Sequence, residues 1–385
     1  MNRKAAVCGT LLSSVIFAGS LFAAGGMMGG GGGGGMMGGG GGGGGGMMSG
    51  LTGIERLGMM IYRDTNLSRN KTQSCMTCHH PMAGFADPDN MLDPWNNVVS
   101  IGDDGVSQGG RNAPTAAYAG FSPALHKDGA GNYIGGMFWD GRATGTDLTA
   151  DLYDPLAEQA QGPFLNPVEM NMTVEAVVDV VRTSMYRDLF LQVFGSLSDT
   201  GVAFDNIARA LAAFERSTHV QRFTSRYDSG QLTKQERNGL KLVTTYCTKC
   251  HAMETGANKG PLFTDYSYAN IGVPVNPLLK DNPKDLGLGG FLASKDIPNA
   301  DLENGKFKVP TLRNVALTAP YSHNGYFPTL KDIVNFKNTR DNGTWEAPEV
   351  SANRTDMIGS LGLSDAQVDA IVAFLMALTD SSPNM

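Results

Sequence analysis

Four cysteines and two histidines carry the clearest chemistry in this 385-residue sequence. They form two copies of one pattern, Cys75-Met76-Thr77-Cys78-His79 and Cys247-Thr248-Lys249-Cys250-His251. C-x-x-C-H is the attachment signal for c-type haem. Two thiols on one turn add to the two vinyl groups of the porphyrin, and the adjacent histidine supplies an axial nitrogen to iron. Zinc sites or redox dithiols would use the cysteines too, but they leave the histidine after each second cysteine without a task. In an exported chain such thiols would otherwise tend towards disulfides. The expected cofactors are therefore two covalently bound c-type haems.

The two motifs begin 172 residues apart, so each can own a domain. Helical spacing is read at 54–62 and 234–245, each leading into a haem motif, and at 174–193 and 204–214 between them. The stretch 364–378 repeats Val368, Ile371, Val372, Phe374, Leu375 and Leu378 at helical intervals. Strand signals are sparse and short. The expected fold is mainly α: two cytochrome c-like haem domains, 51–225 and 226–385, with long loops.

What precedes them is different in kind. Asn2-Arg3-Lys4 and an apolar run to Phe22, followed by Ala23, Ala24 and Gly25, read as a signal peptide over 1–24, with an uncleaved anchor as the alternative. Cys8 sits too early for a lipoprotein cysteine. Residues 25–50 hold 19 of the 51 glycines, plus the pairs Met27/Met28, Met36/Met37 and Met47/Met48. Such a tract cannot bury a core and reads as a disordered tether; soft-metal capture by the thioethers is the sharper alternative. The expected location is the periplasm, with cell-surface association through the arm. A net charge of −7 without a basic patch excludes a nucleic-acid protein.

Beyond the haem motifs, the chain resembles the bacterial di-haem cytochrome c peroxidase / MauG family. The likeness runs through CMTCHHPMAGFADP from Cys75, RNAPT from Arg111, FWDGR from Phe138 and LAEQAQGPFLNPVEM from Leu156. It continues through FDNIARALAAFER from Phe204, KVPTLRNVALTAPYSHN from Lys308 and the segment 329–338. The resemblance implies a peroxide-reactive N-terminal haem on His79 and an electron-relaying C-terminal haem on His251. It places Gln159, Pro163 and Glu169 in the distal pocket, with Trp139 between the haems. It also implies one Ca²⁺, held by Asn112 and the carbonyls of Thr318 and Pro320; the Asp103/Asp104 pair is a weaker calcium candidate. Peroxide cleavage suits a carboxylate and an amide over an open iron, since one proton must be taken and then returned. From spacing alone Glu169 reads as a carboxylate at the start of a helix after Asn166-Pro167, and only the resemblance reverses that; a core aromatic is the alternative for Trp139.

Two departures stand out. The loop Ser100-Ile101-Gly102-Asp103-Asp104 carries no histidine where many family members place one that plugs the peroxidatic iron. The resting chain is therefore expected to react with peroxide without prior reduction. Lys337 occupies the place of the C-terminal haem's distal ligand; it either binds iron as a free amine or points to solvent, leaving the site to another group. His80, His126, His219 and His323 have no comparable claim on iron. Three functions compete: reduction of hydrogen peroxide with electrons from a small periplasmic cytochrome c or cupredoxin, peroxide-driven oxidation of Trp or Tyr on a partner protein, and non-catalytic electron carriage. A homodimer is the family's common assembly.

Overall fold

The computed structural model describes residues 50–149, 152–253, 260–282 and 284–381. The readings for 1–24, most of 25–50 and Cys8 lie outside them. The described chain is helical with long connections. Its helices are α1 (Gly53–Tyr62), α2 (Cys75–Cys78), α3 (Pro88–Leu92), α4 (Pro155–Leu165), α5 (Val174–Thr183), α6 (Arg187–Phe194), α7 (Thr200–Glu215), α8 (Lys234–Tyr246), α9 (Gly287–Ser294), α10 (Leu330–Thr339) and α11 (Asp365–Met376). Two short antiparallel pairs complete it: β1 (His126–Lys127) with β2 (Tyr133–Ile134), and β3 (Tyr268–Ala269) with β4 (Phe307–Lys308). Among the described residues no helix is long and apolar enough to cross a membrane.

Two apolar clusters organise these elements into two lobes. The larger gathers Leu57 and Ile61 of α1, Phe164 of α4, Val177 and Val181 of α5, and Ile207 and Leu211 of α7. The second gathers Val243 of α8, Val334 and Phe336 of α10, and Val368, Ile371 and Phe374 of α11. In each lobe the helix leading into the haem motif crosses a partner at a glycine. A Cβ on Gly58 would lie 1.9 Å from the carbonyl oxygen of Ala210 and 2.9 Å from Phe214. One on Gly239 would lie 1.9 Å from that of Ala370 and 2.7 Å from Phe374. The two backbones meet with no room for a side chain, the same device used twice.

Capping fixes where these helices start. Thr52 and Thr233 each form a reciprocal capping box, with Glu55 and Glu236. The stretch 174–193 is not one helix. It breaks at Ser184, whose extended backbone and hydroxyl, donating to the Val181 carbonyl at 2.9 Å, end α5 before α6 begins. The next helix after Glu169 starts at Val174 and is capped by Thr173, so Glu169 sits in a turn rather than at a helix N-terminus.

Candidate functional site: two histidine turns and a cavity at the second

Each C-x-x-C-H turn closes on itself, with His79 N–H donating to Cys75 O and His251 N–H to Cys247 O, both at 2.9 Å. The rings are then oriented in the same way. His79 Nδ1 lies 3.1 Å from the Phe85 carbonyl, and His251 Nδ1 lies 2.9 Å from that of Phe263. A carbonyl can only accept, so Nδ1 carries the proton and Nε2 keeps a lone pair for a metal. Phe85 and Phe263 both adopt left-handed backbone, φ 64° and 54°. The residue before each is held by a threonine of a Pro-Thr pair: Thr115 Oγ1 donates to Gly84 O and Thr311 Oγ1 to Leu262 O, both at 2.6 Å. Burial lowers the pKa of both imidazoles, His251 to about 4, where Lys337 adds to the effect. Both rings are neutral donors at neutral pH.

The residues fit covalent haem. The four cysteines are free, and burial pushes every one of their thiols up. No group of three or more His, Cys, Asp or Glu is arranged around a bare metal ion among the described residues, which removes the zinc alternative there. Cys247, Cys250 and His251 line a largely apolar cavity of about 290 Å³, with Lys337 and Trp139 also on its wall. The Tyr266 hydroxyl on the same wall is buried with no hydrogen-bond partner among the described residues.

Around the first turn, the Tyr62 hydroxyl donates to His79 O at 2.8 Å. The Glu169 carboxylate is near enough to raise the pKa of both Cys75 and Cys78. Its own pKa is raised by burial, against the pull of the Asn166 amide, 2.7 Å away, and of Arg142. Gln159 and Pro163 lie one turn apart on α4; the Gln159 amide is half-buried and has no hydrogen-bond partner among the described residues. The loop that lacks the plugging histidine is pinned. Asp103 N–H donates to Glu169 O at 2.9 Å, and the Asp103 carboxylate takes the Asn70 N–H at 2.7 Å. Asp104 spends its carboxylate on the backbone of Val106 and Ser107. That pair is occupied in holding turns.

The lobes meet through an exchange. Asn112 N–H donates to His323 O, and Lys308 N–H donates to Trp139 O, both at 2.8 Å. Asn112 and Lys308 each stand two residues before a Pro-Thr pair. Trp139 and His323 each sit in a turn closed by a β-bridge, Met137 with Ala143 and Tyr321 with Phe327. The contact thus has approximate two-fold character. The Trp139 indole N–H donates to Asn112 O at 2.9 Å, tying the ring to the junction. His323 stacks on Phe307 at 3.6 Å and reaches Glu349 at 3.1 Å. His80 caps a short turn, accepting Met82 N–H, and His126 is exposed.

Comparison with known proteins decides the family. Residues 53–237 match the family model for di-haem cytochrome c peroxidase, and residues 236–379 match that for cytochrome c. The chain is 40% identical to the methylamine utilization protein MauG of Paracoccus denitrificans over 84% of its length and 88% of that protein's. The chain belongs to the di-haem cytochrome c peroxidase family. The cytochrome c551 peroxidase of Pseudomonas aeruginosa is 32% identical, over 85% of this chain and 83% of that protein. The crystal structure of the diheme peroxidase BthA from Burkholderia thailandensis superposes with a TM-score of 0.74 at 30% identity, covering 86% of both chains. Membership makes this a two-haem, peroxide-using oxidoreductase with two cytochrome c-like regions. Glu215 is a buried group of this peroxidase that the motif reading passed over. Burial raises its pKa to about 8, and after burial its charge is the next cause lifting the pKa of Tyr62 and Cys75. Its only signal in sequence was a glutamate on the apolar side of α7.

Proposed function

We propose that the chain reduces hydrogen peroxide at the haem held by Cys75, Cys78 and His79, in a domain spanning 51–225. The haem of 226–385 and Trp139 pass electrons to it. The observation that carries this reading is the half-buried Glu169, close enough to both N-terminal cysteines to act on their thiols and hydrogen-bonded through its carbonyl to a pinned loop without histidine. Bound haem supplies the redox chemistry of O–O cleavage. Glu169 takes the proton from the incoming peroxide and returns it to the departing oxygen. Burial raises its pKa, which strengthens it as a base while keeping it able to give the proton back. Gln159 offers an unengaged amide to orient the peroxide, and Pro163, one turn on along α4, walls the pocket. The His79–Phe85 hydrogen bond holds the proximal ring still.

The test is anaerobic spectroscopy of the resting protein mixed with stoichiometric peroxide. Wild type is expected to react without prior reduction. Glu169→Gln is expected to react about 10²–10⁴-fold more slowly with both haems retained. An unchanged rate would overturn the assignment.

A second reading, oxidation of Trp or Tyr on a partner protein, is favoured by the lysine at 337 and by the 40% identity to MauG. Fast turnover with reduced cytochrome c or cupredoxin supports the first reading. Slow turnover with covalent change in a co-purified protein supports the second.

Lys337 supports ligation of the second iron: its half-buried side chain lines the cavity wall with Cys247 and His251, and desolvation lowers its pKa towards the free amine. Calcium is supported by the donor set. Asn112 Oδ1 and the carbonyls of Thr318 and Pro320 receive no hydrogen bond among the described residues, and all three residues border one cavity; oxygen-only ligation suits that ion. Export to the periplasm rests on the N-terminal pattern, and mass spectrometry of the mature chain tests cleavage after Ala24. Sedimentation of the holoprotein tests the homodimer.

A further inference from the structure

Tyr118 lies in the cavity wall with Trp139 and is 2% exposed. Its hydroxyl donates to Asp380 Oδ2 at 2.6 Å and accepts the Phe223 N–H at 2.9 Å. Asp380 is built to receive. Thr224 N–H reaches its other oxygen at 2.8 Å, and the Asn314 amide reaches Oδ2 at 3.1 Å. The carboxylate is half-buried, so one side is open to water.

The approximate two-fold sharpens the comparison. Three residues after the Pro-Thr pair the second lobe has Asn314 and the first has Tyr118, both in left-handed backbone at φ 58° and 65°. Asparagine tolerates that conformation, whereas a bulky aromatic pays for it, at a cost of order 1–3 kcal/mol. Buried on the wall of the cavity that Trp139 also lines, Tyr118 sets an oxidisable phenol directly against a carboxylate that can take its proton.

We propose that Tyr118 is a redox-active tyrosine of this peroxidase, giving up one electron to the peroxide reaction while its phenolic proton passes to Asp380. The proposal rests on the peroxide-reducing function above. Hydrogen peroxide takes two electrons and two protons to become two waters. Tyr118 supplies one electron and the external donor protein supplies the other. The O–H bond of Tyr118 breaks, its proton forms a bond to Asp380 Oδ2, and a neutral tyrosyl radical remains until a second electron from the donor and the same proton restore the phenol. Loss of the proton is what makes the step feasible here. The Arg313 guanidinium lies 5.2 Å from the ring and would oppose a cationic phenol but not a neutral radical. The arrangement would hold an oxidising equivalent close to the junction when the donor is scarce.

The test uses the full holoprotein, with ring-deuterated tyrosine, frozen rapidly after stoichiometric hydrogen peroxide. The expected result is a radical signal that narrows on deuteration, disappears in Tyr118→Phe and is lost in Asp380→Asn, which keeps an acceptor oxygen but not a base. Haem spectra should change on peroxide addition in all three proteins. If they change and no deuterium-sensitive radical forms, or if either variant keeps the full signal, the proposal is overturned and the peroxidase reading stands. If the wild-type haem spectra do not respond to peroxide, both fall.

Discussion

Under the proposed ligation, Lys337 would place a strongly basic amine where an uncharged ligand is required. The cavity resolves the conflict by stripping water from the side chain, which lowers its pKa. Lys337→Ala is expected to change the visible spectrum of the C-terminal haem and leave the N-terminal one untouched; an unaltered spectrum would remove lysine from the coordination sphere. Glu215 makes the opposite case, an acid forced towards neutrality. Its folded pKa of about 8 lies above the unfolded value of about 4.3. The unfolded chain therefore releases this proton first, and stability falls as pH rises between those values. Glu215→Gln should raise the melting temperature near pH 8 and change it little near pH 4, as scanning calorimetry across pH would show. The two-haem character was legible from sequence because C-x-x-C-H is local chemistry written in consecutive letters. Glu215 and Tyr118 were not, because what singles them out is a neighbour far along the chain: Cys75 for one, Asp380 for the other.

The helices that position the site depend on two crossings where a hydrogen atom stands in for a side chain. Gly58→Ala or Gly239→Ala would force a methyl group to within 1.9 Å of a backbone carbonyl. Each should cost about 3 kcal/mol, with Gly58→Ala loosening the first haem and Gly239→Ala the second; guanidinium unfolding followed at each haem band separates them. Apolar spacing made α1, α7, α8 and α11 readable. It failed at 174–193 because Val, Leu and Phe keep their rhythm through Ser184 while the serine hydroxyl competes for the backbone. It also missed α4, which carries Gln159, since Gly162 and Pro163 inside a helix mask its periodicity. Asp154 and Pro155 start that helix regardless, the aspartate accepting the Leu156 N–H at 3.0 Å.

At the scale of the whole chain the lobes are bridged by Arg111, which binds Asp140 at 2.6 Å and, bidentately, Asp285 at 2.7 and 2.8 Å. Burial alone would raise the Asp285 pKa, yet the Arg111 bonds hold it below the ordinary carboxylate value. That stabilisation is present above about pH 4 and is lost as pH falls through the lower, folded value. Arg111→Leu should cost about 3 kcal/mol at neutral pH, and the difference from wild type should shrink on acidification, as denaturant titrations at two pH values would show. The reciprocal bonds Asn112 to His323 and Lys308 to Trp139 bear on rate as well as strength. Because main chain from either side is hydrogen-bonded to the other, the gap that an electron would tunnel under the proposed relay is held by backbone hydrogen bonds instead of by side-chain rotamers. Side-chain substitutions at the junction that leave these backbone groups in place should then barely alter the distance over which an electron passes.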